Sequence, residues 1–138
     1  MAEQQQTVPG DEASTLLPPN SPTETSFQKP LAFVAAGQEI SVVHGDQVLA
    51  DSSDVIIVHE QGHRPVFYFP RGDVRMELGQ SIDRTSHCPR KGDASYFEFS
   101  GAAGSAIAWT YEDPIPPAVM LKDYIAFYPD HLEFHREA

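Results

Sequence analysis

The sequence predicts a mainly β fold, a small barrel or folded sheet with one or two short helical turns. Three observations carry that expectation. Short runs rich in β-branched and aromatic side chains recur at close spacing from Pro30 onward. Gly and Pro punctuate those runs as turn residues do. Prolines at positions 65, 70, 89, 114, 116, 117 and 129 leave no room for a long helix.

In chain order, Gln38 to His44 and Gln47 to Asp51 are two short runs about His44-Gly45-Asp46, which predicts a tight hairpin. Asp54 to Glu60 (DVIIVHE) is dense in β-branched residues and gives way to the turn Gln61-Gly62-His63. Pro65 to Phe69 (PVFYF) is the next strand, ended by Pro70 and Gly72. Ala94 to Ser100 (ASYFEFS) and Ser105 to Glu112 (SAIAWTYE) flank Gly101-Ala102-Ala103-Gly104, a second expected hairpin. In the latter run the two-residue period sets Ile107, Trp109 and Tyr111 on one face. Tyr124 to Tyr128 and Leu132 to His135 are expected to close the chain as a pair about Pro129-Asp130. The helical candidate is Pro117 to Lys122, since a first helical position tolerates proline.

The 138 residues suffice for one domain, residues 29–138, and a tail. Residues 1–28 hold four prolines and only Leu16, Leu17 and Phe27 as sizeable apolar groups. That is too little to offset an ordering entropy of roughly 1–2 kcal/mol per residue, so the tail is expected to be disordered. It has neither the basic nor the apolar region of a secretory signal, and Glu3, Asp11, Glu12 and Glu24 argue against a transit peptide. With a lone thiol besides, a cytoplasmic location is expected. Nine Lys and Arg against twenty Asp and Glu leave a net charge of −11. That balance excludes nucleic acid and membrane surfaces as expected partners, because both require a positive face. One cysteine closes no intramolecular disulfide, and no CxxC pair is present to hold zinc. The histidines at 44, 59, 63, 87, 131 and 135 form no coherent ligand set, so no metal or other cofactor is expected.

Four stretches together resemble a known family. They are RPVFYFPRGDV (residues 64–74), TSHCPRKGDASY (85–96), AWTYEDP (108–114) and YIAFYP (124–129). In order and spacing they are similar to the domain of unknown function 427 family, over about residues 30 to 136. The resemblance implies a β-tent-like fold, two sheets meeting at an angle, similar to that of methionine sulfoxide reductase B. Many proteins of that architecture bind zinc through two CxxC pairs, which this chain lacks. The family also carries a nucleotidyltransferase-like label, and a label does not establish a function.

The chemistry concentrates between Arg64 and Lys91. That segment holds six of the nine basic residues, Arg64, Arg71, Arg75, Arg84, Arg90 and Lys91, against Asp73, Glu77 and Asp83. Such a patch on an acidic chain suits a phosphate or carboxylate, although arginines paired with nearby acids on a solvated surface would give the same pattern. Cys88 lies beside His87 and two cations, conditions that favour a thiolate. Adjacent strand residues face opposite sides, however, so His87 is poorly placed as its base, and free cysteines are commonly buried. Phe67, Phe97 and Phe127 are expected in the core, whereas Tyr and Trp carry a polar handle suited to pockets.

The leading expectation is a small binding domain whose groove is lined by Arg64, Tyr68, Lys91, Tyr96, Trp109 and Tyr111 and holds a small anionic ligand or an acidic peptide. One alternative is a small enzyme using the same cleft, with Cys88 or Glu112 as the reactive group. The other is a structural interaction scaffold in which these residues only shape core and turns.

Overall fold

Strand periodicity sorts the aromatic residues of this chain onto opposite faces of one sheet, and that sorting organises the molecule. The structure is a computed structural model and describes residues 31–101 and 104–136. The expected disordered tail, residues 1–28, lies outside the described residues. In chain order the strands are β1 (Leu31–Ala35), β2 (Ile40–His44), β3 (Gln47–Ser52), β4 (Ile56–Glu60), β5 (Val66–Pro70), β6 (Gln80–Cys88), β7 (Gly92–Phe99), β8 (Ala106–Thr110), β9 (Tyr124–Phe127) and β10 (Glu133–Arg136). They build two antiparallel sheets. The larger runs β1-β4-β5-β9-β8-β7-β6 and the smaller β10-β2-β3. Helical structure among the described residues is confined to short 3-10 segments at Arg71–Asp73, Met76–Leu78 and Pro116–Leu121, the last covering most of the helical candidate.

The expected hairpins form. β2 and β3 pair with His44 opposite Gln47, leaving Gly45-Asp46 as the turn, and Gly45 takes the positive φ such turns demand. β7 pairs with β8 as the second, and the expected turn at Gln61-Gly62-His63 joins β4 to β5 as a further antiparallel pair. The last two runs do not pair with each other, contrary to expectation. β9 inserts between β5 and β8 in the larger sheet, while β10 crosses to the smaller sheet and pairs with β2. The reason is burial: Ile125 and Ala126 are fully buried, which requires neighbours on both sides of β9. Two strands had no clear sequence signal. β1 is a short edge strand, and β6 (QSIDRTSHC) is exposed along nearly its whole length. β6 also carries a bulge at Asp83-Arg84, since Ile82 pairs with Tyr96 but Thr85 pairs with Ser95. A bulge with two charged residues discourages further strands from adding to this edge.

The core lies between the sheets. Ile40, Val42, Leu49 and Ala50 of the smaller sheet meet Ile57, Phe67, Phe69, Phe97, Phe99, Ala108, Ile125 and Phe127 of the larger. Phe127 sits at the centre, with the Phe69 ring 6.0 Å away edge-on and the Phe99 ring 5.7 Å away and tilted. Where Gly79 passes Phe99, a Cβ would stand 2.6 Å from the ring, so this approach admits only glycine without displacement. The opposite face of the larger sheet buries a second cluster that includes Ile56, Val58, Tyr68, Tyr96, Tyr111 and Leu121. The three phenylalanines expected in the core, Phe67, Phe97 and Phe127, all face the smaller sheet.

Candidate functional site

The outer face of the larger sheet is where the tyrosines and the tryptophan collect. Strand registers align one row across six strands: Ile56 lies beside Tyr68, Tyr68 beside Ala126, Ala126 beside Trp109, Trp109 beside Tyr96 and Tyr96 beside Ile82. Ala126 has only a methyl group, which leaves room for the two large rings on either side to meet above it. The Trp109 Nε1–H donates to the Tyr68 hydroxyl at 3.2 Å, and the rings stand edge-on with centroids 6.2 Å apart. Tyr128 tilts against the indole at 4.6 Å, and the Arg84 guanidinium lies 4.3 Å over the Tyr96 ring. The bulge in β6 sets Arg84 there.

Tyr68, Tyr96, Trp109 and Tyr128 wall a cleft of about 560 Å³, whose other end is charged. The turn after β4 and the turn between β6 and β7 come together there through Glu60. Its carboxylate accepts from Lys91 Nζ at 2.6 Å and from Arg90 Nη1 at 3.4 Å, and His63 Nε2 stands 4.0 Å away. Lys91 is buried, with its ammonium also 3.7 Å from Cys88 Sγ and 5.9 Å from the centre of the Tyr111 ring. Gly92, at φ 120°, turns the chain directly after this lysine.

All six residues expected to line a groove, Arg64, Tyr68, Lys91, Tyr96, Trp109 and Tyr111, line this cleft. Cys88 lines it as well. The His87 ring is held through Nδ1 by Asp93 at 2.7 Å. Glu112 is not among the lining residues; it is exposed and paired with Arg71 at 3.7 Å. Much of the cationic patch is ion-paired: Arg71 with Glu112, Arg75 with Glu77, and both Arg90 and Lys91 with Glu60. Lys91 therefore sits in the cleft wall as half of an ion pair. Sequence reading missed Glu60, the hub of the charged end. Its parity with Ile56 and Val58 in a recognisable strand was the available signal. Tyr128, one residue past β9, was missed too.

His131 and His135 lie in different settings. His131 precedes β10 in a left-handed turn at φ 69°, whereas His135 lies within β10. Among the described residues no group of three or more His, Cys, Asp and Glu side chains is arranged to hold a metal ion.

Burial pushes the Tyr68 hydroxyl well above its ordinary pKa of 10.0, with the nearby Tyr111 adding to the effect. Tyr111 is raised too, by burial first and then by Cys88 and Tyr96. Both hydroxyls thus ionise later in the folded than in the unfolded chain, so the stability they contribute is full below about pH 10 and falls as pH climbs above it. We expect ultraviolet titration of the native protein to show Tyr68 and Tyr111 un-ionised at pH values where free tyrosine is ionised. Both should then titrate abruptly on alkaline unfolding. Five tyrosines ionising together at the free value would contradict this packing.

Fold and site together define a small two-sheet β domain with one aromatic cleft and a charged mouth. The chain belongs to the family described as Domain of unknown function (DUF427), whose profile matches residues 32–138. No curated protein matches it. Among the described residues no helix is long and apolar enough to cross a membrane.

Proposed function

We propose that this domain binds a small anionic ligand in the cleft between the β4–β5 and β6–β7 turns. The observation that supports this reading is the composition of the lining, where Arg64, Arg90 and Lys91 stand against one carboxylate, Glu60, which pairs with the latter two. In a chain of net charge −11, that concentration of cations is a local reversal of sign. The cleft volume, about 560 Å³, falls within the range of small-molecule sites and favours a small ligand over a peptide. The acidic balance of the whole chain argues against nucleic acid and membrane partners, and the lone thiol fits a cytoplasmic protein.

Thermal-shift screening against a panel of carboxylates and phosphates tests the reading. A ligand at a hundred times its Kd should add about 2.7 kcal/mol to stability. Arg64→Ala should weaken that response about tenfold or more, as the loss of a charged hydrogen bond does. A broad panel that leaves the melting temperature unmoved would remove the basis for a binding domain.

The enzyme alternative draws on one contact, the 3.7 Å approach of Lys91 Nζ to Cys88 Sγ inside the cleft. It requires Cys88 to alkylate faster at neutral pH than a free thiol. On the binding reading Cys88→Ser leaves ligand affinity unchanged.

A further inference from the structure

Resting on the reading of the cleft as an anion site, we infer that its ligand is an aromatic acid: a carboxylate or similar anion carried on a flat, apolar ring. Two polar handles of the aromatic wall are already engaged within the protein. Trp109 spends its indole N–H on the hydroxyl of the buried Tyr68, which accepts it. Tyr96 shares a 2.7 Å hydrogen bond with Ser86. These bonds leave the indole without a donor and the Tyr96 hydroxyl with one site fewer for a polar ligand.

What the wall offers is ring surface, from Trp109, Tyr128 and Tyr111, with Val58 and Val66 beside them. Such a surface favours a planar apolar body over a sugar or a fully hydrated ion, because polar groups buried there would lose water without gaining partners. Charge is read at the opposite end, where Arg64 lines the cleft along with Arg90 and Lys91, the two cations paired with Glu60. A ring against the wall with its anion toward the turns satisfies both ends at once. Inorganic phosphate satisfies only the charged end. A nucleoside monophosphate would place its hydroxylated sugar between the two.

Calorimetric titration of the full chain separates the possibilities with naphthoate, its uncharged amide naphthamide, acetate, inorganic phosphate and a nucleoside monophosphate. Naphthoate should bind about tenfold or more tightly than each of the others, the size of effect a few aromatic contacts and one charged contact supply. Tyr128→Ala removes an exposed ring from the wall, so the fold should tolerate it. It should weaken naphthoate by about fivefold or more, the loss of one aromatic contact, and leave any phosphate binding unchanged. Acetate, phosphate or the nucleotide matching naphthoate would overturn the aromatic-acid assignment while leaving an anion site standing. Naphthamide matching naphthoate would overturn the role of charge. Silence from every anion would overturn the anion site itself.

Discussion

Glu60→Ala should lower the free energy of unfolding by about 3–5 kcal/mol, the cost of stranding a buried charge. Lys91 is the charge at stake: its side chain is 9% exposed, and Glu60 Oε1 lies 2.6 Å from its ammonium. With that carboxylate gone, the ammonium has the Cys88 sulfur and the Tyr111 ring for company, and neither carries a compensating formal charge. The reverse change should be milder. In Lys91→Met, Glu60 keeps Arg90 at 3.4 Å and His63 at 4.0 Å. Removing both partners in Glu60→Ala/Lys91→Met should recover much of the loss, since no unpaired ammonium remains in the wall. Urea denaturation of the four proteins decides the matter through the midpoint at constant slope. A Glu60→Ala protein within about 1 kcal/mol of wild type would mean that water reaches Lys91 more freely than its burial implies.

Phe99→Ala is expected to cost about 3–5 kcal/mol, a large share of the 5–15 kcal/mol that holds a domain folded. The ring is 1% exposed and lies between Phe127 and the backbone at Gly79, so its removal opens space that neighbouring strands cannot close. The same contact supplies a check. Gly79→Ala alone drives a methyl group to 2.6 Å from the ring and should cost about 1–3 kcal/mol by overpacking. In the Phe99→Ala background that methyl has room, so the two losses should sum to more than the double variant suffers. Simple additivity would show that Gly79 is needed for some other reason.

Legibility in the sequence followed the strength of each local signal. The hairpins around Gly45 and the Gly101–Gly104 loop, and the turn at Gly62, were readable because turn chemistry and alternation agreed there. The division between core and cleft was readable too, because strand parity separates Phe67 and Phe69 from Tyr68, and Ala108 from Trp109. β6 gave no alternation because both of its faces are largely exposed, leaving no burial to write a pattern. The partners of β9 and β10 were hidden for a different reason. β10 alternates and β9 is apolar on both faces, but pairing across long sequence separations leaves no mark on either segment alone. Glu60 was overlooked because its importance lies in Arg90 and Lys91, thirty and thirty-one positions away.

The placement of β9 also sets an order of events during synthesis. Strands β1, β4 and β5 form one half of the larger sheet, and β6, β7 and β8 the other. No direct pairing joins the halves until Tyr124–Phe127 slides between β5 and β8. Until that segment has left the ribosome, both inner edges present unpaired backbone beside a row of large aromatics. The final closure joins residues far apart along the chain, which makes it slow relative to hairpin formation. A chain truncated shortly before Tyr124 would therefore hold two half-sheets with sticky edges, and the aromatic cleft, which spans the seam, would not form.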